Sequence, residues 1–121
     1  MKLNHADLQV RDVPATIDFF VRHFGLHPQT KIDSPSFAIL TDGHGFVLVL
    51  QRCREGEAYP EGFHLGFLVD DPESVVRLHE RARAEGADVS DVQENGRGTM
   101  IYFTRPEGYL VEVAWQRRRF T

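Results

Sequence analysis

With 121 residues, the chain is large enough for one compact domain, and its 41% hydrophobic and 26% charged residues are ordinary for a soluble globular protein. The formal net charge of −4 argues against nucleic acid as a partner, because nucleic-acid binding usually needs a basic face. The sequence shows no long apolar run and no secretory leader pattern, and a single cysteine, Cys53, cannot form an internal disulfide. We therefore expect a cytoplasmic protein that binds no membrane.

The first elements predicted along the chain are a strand and a helix. In segment 3–10, Leu8 and Val10 alternate with His5 and Asp7, which predicts a half-buried strand with the two sets on opposite faces. Asp12 is a suitable N-cap for the helix that follows, and Gly25 is suited to end it. The apolar stripe of this helix comprises Ile17, Phe20, Val21 and Phe24.

The rest of the chain repeats this order of elements. Strands at 37–40 and 46–50 close the first half, and a polar link at 54–62 follows. The second half contains a strand at 63–69, a helix at 72–85 with Asp71 as its N-cap, and strands near 87–92, 99–104 and 109–115. A repeat of about sixty residues cannot bury its sheet alone and should pair with its twin.

We therefore predict an α+β fold with two tandem βαβββ modules, at about 1–54 and 62–121. They would form a single domain over 1–121, with a curved mixed sheet or partial barrel that contains a cleft.

Three side chains of the repeat have the chemistry of metal ligands. His5 and His64 open equivalent strands, each on the face opposite the apolar positions, and Glu112 lies in an apolar strand where a carboxylate is costly to bury without a cation. Two imidazoles and a carboxylate suit Fe²⁺, Mn²⁺, Ni²⁺ or Zn²⁺. The sequence therefore predicts a divalent metal on these residues. Taken singly, each has another interpretation: a hydrogen-bonded strand histidine, or a Glu112 paired with an arginine.

The two halves differ at one position that matters for this site. Alignment of Thr41 with Thr104 and of Gly45 with Gly108 places Val49 opposite Glu112. A symmetric site would have a carboxylate at position 49, so the predicted ligand set contains three residues. Two imidazoles and one carboxylate leave coordination positions open for a substrate or oxygen.

The duplicated modules, the placement of His5 and His64, and the segment 106–112 that ends in Glu112 resemble the vicinal oxygen chelate superfamily. This superfamily includes glyoxalase I, extradiol dioxygenases, fosfomycin-resistance thiol transferases, methylmalonyl-CoA epimerase and bleomycin-binding resistance proteins. The resemblance covers essentially the whole chain. It implies a glyoxalase-like fold, a divalent metal that holds adjacent oxygens of a small-molecule substrate, and a homodimer whose sites can combine modules of two chains.

The resemblance also bears on the type of reaction. Glyoxalase I generally has four protein ligands, whereas Val49 stands at one of those positions here, and Gln51 is only a weak substitute. The three-ligand set is similar to that of extradiol dioxygenases, in which a tyrosine at the spacing of Tyr102 hydrogen-bonds to bound substrate. Tyr102 is thus a candidate catalytic residue, or alternatively a cross-strand aromatic. The negative charge of Asp7 disfavours a phosphonate substrate.

The sequence therefore predicts a metal-dependent enzyme that acts on a small oxygenated substrate chelated through adjacent oxygens. A dioxygenase or a lyase/isomerase fits this description. The alternative is a non-catalytic binding protein of the bleomycin-resistance type, for which the aromatic residues would line the cleft. The three retained ligands favour the enzyme, because binding-only relatives usually lack them.

Overall fold

The structure is a computed structural model that describes residues 1–104 and 108–120. It divides into two compact units, Met1–Glu57 and Ala58–Thr121, with the boundary inside the polar link predicted from the sequence. The Pro106–Glu107 part of the motif that ends in Glu112 lies outside the described residues. No helix in the described ranges is long and apolar enough to span a membrane.

The first unit is a four-stranded sheet with one helix. Its elements are β1 (His5–Val10), α1 (Val13–Phe24), β2 (His27–Pro28), β3 (Phe37–Thr41) and β4 (Val47–Arg52). The strand order is β1-β4-β3-β2, with β1 parallel to β4 and the other pairs antiparallel. The helix packs on β2, β3 and β4. In each unit, the sheet face opposite the helix is called the helix-free face.

The second unit repeats the arrangement. Its elements are β5 (His64–Leu68), α2 (Pro72–Ala84), β6 (Gln93–Asn95), β7 (Gly98–Thr104) and β8 (Leu110–Gln116). The strand order is β5-β8-β7-β6, and β5 is parallel to β8. The predicted α+β class with two tandem βαβββ modules is confirmed. The strand expected near 87–92 is misplaced, because the paired segment is 93–95 and Val89 forms only an isolated bridge with Phe103.

Both helices begin at the predicted aspartates. The Asp12 carboxylate accepts a hydrogen bond from the Ala15 backbone N–H at 3.0 Å, and Asp71 accepts one from the Ser74 backbone N–H at 2.7 Å. Hydrogen bonds from the Ser74 hydroxyl and backbone N–H lower the pKa of Asp71 below its ordinary value, because they stabilise the ionised carboxylate. Gly25 ends α1 with a φ of 67°, in the left-handed region that favours glycine.

The buried side of α1 differs from the predicted stripe. Val21 is exposed, whereas Thr16, Phe19 and His23 are buried beside Phe20. Thr16 can be buried because its hydroxyl donates a hydrogen bond to the Asp12 carbonyl oxygen at 2.7 Å. The imidazole of His23 packs edge-on against the Phe19 ring at 5.4 Å. A pattern that treats threonine and histidine as polar therefore misplaces the apolar arc.

Strand alternation separates the apolar core from the candidate ligands. Leu8 and Val10 are buried in β1 while His5 is exposed, and Val111 and Val113 are buried in β8 while Glu112 is only half-buried. Each unit thus packs its helix against one sheet face and presents its candidate ligands on the other.

The β7–β8 pair depends on glycine at position 98. A Cβ atom at Gly98 would lie 1.9 Å from the Trp115 carbonyl oxygen, and its φ of +148° is unfavourable for other residues. We expect Gly98→Ala to lower the free energy of unfolding by about 2–3 kcal/mol. Thermal and urea unfolding measure this change. Gly96→Ala is the matched control, because a Cβ there meets no atom within 4 Å; equal stability of the two variants would contradict the assignment.

Candidate metal centre

A backbone hydrogen bond holds the orientation of the His64 imidazole. It opens β5 on the helix-free face of the second unit and is exposed. Its Nδ1 lies 2.9 Å from the Gly62 carbonyl oxygen, and because a carbonyl only accepts, Nδ1 carries the hydrogen. The lone pair then resides on Nε2, and a hydrogen bond of this kind is the usual support of a metal-binding histidine.

Glu112 lies on the same face, on the neighbouring strand. The parallel register pairs His64 with Leu110 and Gly66 with Glu112, so His64 and Glu112 are two residues apart along the β5–β8 pair. This offset corresponds to about 6–7 Å along the strands, which both side chains can reach across. A Cβ built on Gly66 meets no atom within 4 Å, so there is space beside the carboxylate. One imidazole nitrogen and one carboxylate thus border an open position, which fits a divalent cation.

Tyr102 stands directly opposite Glu112 in the β7–β8 register and is half-buried. Burial and hydrogen bonding to the Glu112 carboxylate raise the pKa of the Tyr102 phenol above its ordinary value of 10.0, while the Arg97 guanidinium acts in the opposite direction. The phenol is therefore protonated at neutral pH and can donate a hydrogen bond. Tyr102 is thus a cross-strand aromatic whose hydroxyl reaches the Glu112 carboxylate, and its contact with a substrate stays a prediction.

Arg97 follows β6 in the turn before β7 and has a defined position. Its guanidinium donates to the Met100 sulfur at 3.3 Å, and its backbone N–H donates to the Asn95 side-chain oxygen at 2.8 Å. Its carbonyl accepts from the Arg117 backbone N–H at 2.9 Å. A positive charge thus lies beside Tyr102, and only the tertiary pairing of the hairpin reveals this proximity.

His5 has the equivalent position in the first unit. It opens β1 on the helix-free face, and its Nδ1 lies 2.9 Å from the Asn4 side-chain oxygen. With that oxygen as acceptor, Nδ1 carries the hydrogen and the Nε2 lone pair is available, as in His64. The two histidines therefore share strand position, exposure and tautomer, although their hydrogen-bond acceptors differ.

The carboxylate that shares a sheet face with the strand histidine lies on the first strand in one unit, as Asp7 on β1, and on the last strand in the other, as Glu112 on β8. Asp7 pairs with Val49 in the parallel register, whereas Gly66 pairs with Glu112 at the equivalent level. The Asp7 carboxylate accepts hydrogen bonds from the side-chain amides of Gln9, at 2.8 Å, and Gln51. Gln51 is thus a partner of Asp7, and neither it nor Val49 supplies a carboxylate on β4.

The structure brings together part of the predicted ligand set. His64, Glu112 and Tyr102 share one face of the second unit, and His5 lies on the corresponding face of the first. Within residues 1–104 and 108–120, no group of three or more histidine, cysteine, aspartate or glutamate side chains is assembled for metal binding. Gly66, Asn4 and Arg97 support the candidate residues and were not identified from the sequence, because their roles depend on strand register and turn geometry.

Comparison with known proteins agrees with the superfamily that the sequence resembles. The model of the Glyoxalase/Bleomycin resistance protein/Dioxygenase superfamily matches residues 2–113. A structure described as a possible glyoxalase from Bacillus cereus is 30% identical, with a TM-score of 0.83, and the alignment covers 94% of this chain and 98% of that one. A comparison with curated protein sequences found no significant match.

Two more distant structures share the fold. Lactoylglutathione lyase from Agrobacterium tumefaciens is 20% identical, with a TM-score of 0.77, over 94% of this chain and 92% of that one. A mutant of the fosfomycin resistance protein FosX from Listeria monocytogenes, in complex with Mn(II) and 1S,2S-dihydroxypropylphosphonic acid, is 22% identical. Its TM-score is 0.78, over 95% of this chain and 92% of that one.

The pairing of Tyr102 with Glu112 predicts a specific titration. In metal-free protein, Tyr102 should ionise above pH 10.0, and Glu112→Gln should lower its pKa by removing the carboxylate charge. Because the folded-state pKa is raised, the associated stability is present below the unfolded pKa and is lost as pH rises through the folded pKa. The ultraviolet phenolate signal, measured against Tyr102→Phe, reports this ionisation. An equal decrease in the control Glu94→Gln, an exposed carboxylate on β6, would contradict the pairing.

Proposed function

This chain belongs to the Glyoxalase/Bleomycin resistance protein/Dioxygenase superfamily, and from that premise we propose that it is a divalent-metal-dependent enzyme. His5, His64 and Glu112 are the proposed ligands of Fe²⁺, Mn²⁺, Ni²⁺ or Zn²⁺. The observation that carries the proposal is the arrangement of His64 and Glu112 on one sheet face, with the imidazole tautomer set by Gly62.

The metal, when bound, would hold adjacent oxygens of a small substrate and stabilise the negative charge that develops on them. The protein's own contribution begins with the two Nδ1–H groups. Hydrogen bonds to Gly62 and Asn4 hold the rings of His64 and His5 so that each presents Nε2. This support reduces the rotational freedom that would otherwise be lost on metal binding.

Tyr102 is proposed to act on the substrate as a hydrogen-bond donor, its single hydroxyl hydrogen passing from the Glu112 carboxylate to a substrate oxygen when Glu112 binds the metal. A phenol is protonated at neutral pH, and the position of Tyr102 opposite Glu112 brings the hydroxyl beside the proposed ligand. A neutral donor next to a substrate oxygen stabilises developing negative charge without an unfavourable second anion. The adjacent Arg97 guanidinium adds positive charge at the same place.

The substrate proposed is a small oxygenated molecule, and the reaction type is that of a dioxygenase or a lyase/isomerase. Support comes from the three-ligand set, in which Val49 stands where a fourth ligand would be. Asp7 adds a negative charge on the helix-free face that carries His5, which disfavours a dianionic phosphonate of the kind bound in the FosX complex. A cytoplasmic location is proposed from the free Cys53.

Metal analysis of untagged protein purified without chelator tests the proposal. We expect stoichiometric Fe, Mn, Ni or Zn, and a decrease in affinity of at least about 100-fold in His64→Ala and Glu112→Gln. His44→Ala and Glu94→Gln are matched controls, because both residues are exposed and lie on other segments.

Three outcomes of this experiment are informative. Loss of metal in the ligand variants with retention in the controls supports the enzyme. Absence of metal after reconstitution would contradict it and favour a binding protein of the bleomycin-resistance type. If iron is bound, oxygen consumption with a panel of catechols separates a dioxygenase from a lyase or isomerase.

We also propose that the protein is a homodimer, as the superfamily resemblance implies. Size-exclusion chromatography with light scattering should give twice the chain mass of 13.9 kDa. A mass of one chain at every concentration tested would contradict this prediction.

A further inference from the structure

Most arginines of the described chain have a partner. Ion pairs join Arg22 to Asp18, Arg77 to Asp71, Arg83 to Asp91, and Arg119 to Asp70. Arg117 and Arg118 lie over aromatic rings. Within the ranges that the structure describes, Arg11, Arg52 and Arg54 form no ion pair.

These three arginines line a single cavity of the first unit. Its volume is about 340 Å³, and its lining consists of Arg11, Arg52, Cys53, Arg54, Glu55 and Gly56. This volume is at the lower end of the range typical for small-molecule sites, roughly 300–1,000 Å³. Three arginines without an ion pair therefore line a space large enough for a small molecule.

Strand topology explains why the arginines meet there. β1 and β4 are parallel, so they end at the same edge of the sheet, and Val10 pairs with Arg52. The Cys53 backbone N–H donates to the Val10 carbonyl oxygen at 2.8 Å, which extends the pairing by one residue. Arg11 follows Val10 directly, and Arg52 and Arg54 flank Cys53. Openings beside the carboxyl ends of parallel strands are common ligand sites.

The charge around the cavity is unbalanced. Its lining residues include three arginines and a single acidic residue, Glu55. Two nearby carboxylates are engaged by backbone groups: Glu57 accepts from the Arg54 N–H at 3.2 Å, and Asp12 caps α1. Mutual repulsion among the arginines is therefore only partly offset, although the protein as a whole has a net charge of −4. An anion in the cavity would relieve this repulsion.

We propose that this cavity is a binding site for a small, multiply charged anion, a phosphate or a polycarboxylate. The planar guanidinium group binds both through paired hydrogen bonds, which explains the use of arginine. The site is separate from the proposed metal ligand His5, which lies at the opposite end of β1, about 17 Å from Val10 at about 3.3 Å per residue. Anion binding is accordingly independent of the proposed metal-dependent activity.

Isothermal titration calorimetry at fixed ionic strength tests the proposal, with pyrophosphate and citrate as separate probes. We expect one anion per chain, with Kd raised at least about tenfold in Arg52→Gln and in Arg54→Gln. Arg22→Gln is the matched control, because it removes the same charge from an exposed, ion-paired position of the same unit. Far-ultraviolet circular dichroism checks that each variant folds.

The two probes and a further variant make the result decisive. Binding of pyrophosphate alone identifies a phosphate site, binding of citrate alone a polycarboxylate site, and both support the shared chemistry. His5→Ala should bind the anion as the parent does, so a failed metal experiment does not affect this test. Absence of binding by both anions would overturn the proposal, as would equal weakening in Arg22→Gln or unchanged binding in the Arg52 and Arg54 variants.

Discussion

Parallel pairing between the first and last strands of each unit is the constraint from which the placement of the candidate residues follows. In the second unit, the β5–β8 register pairs Gly66 with Glu112 and places His64 two residues away on the same face. Side chains alternate between faces, so a slip of one residue would turn Glu112 toward α2 and expose Val111 and Val113. The apolar core thus enforces the register, and the register positions the polar groups.

The same pairing in the first unit gives a different chemical result. β1 and β4 place His5 as β5 and β8 place His64, but the carboxylate lies on β1, as Asp7, and its two oxygens accept from glutamine amides. In the second unit the carboxylate lies on the last strand, beside the open space at Gly66. The two units thus share the histidine position, whereas their carboxylates differ in strand and in partners. The ends of β1 and β4 also gather the arginines, so one strand pair supports two regions of distinct charge.

Sequence patterning was sufficient for the fold because apolar alternation and aspartate caps act locally. Asp12 and Asp71 marked both helix starts. Along β1, the alternation of side chains placed His5 on the face opposite Leu8 and Val10. It failed where tertiary partners decide the outcome. Burial of Thr16 depends on a hydrogen bond to Asp12, and the position of Arg97 beside Tyr102 depends on the β7 hairpin. The open space at Gly66 and the hydrogen bond from His64 Nδ1 to the Gly62 carbonyl oxygen likewise depend on the folded structure, and neither has a signature in the sequence.

Histidine ring NMR of ¹⁵N-labelled protein titrated with Mn²⁺ most directly tests the assignment of the metal ligands. We expect the ring signals of His5 and His64, assigned by single alanine variants, to broaden first and at stoichiometric metal. His27 and His44, which are also exposed, should broaden only at higher concentration. Equal broadening of all exposed histidines, or sharp His5 and His64 signals at saturating Mn²⁺, would contradict the assignment of these two residues as metal ligands.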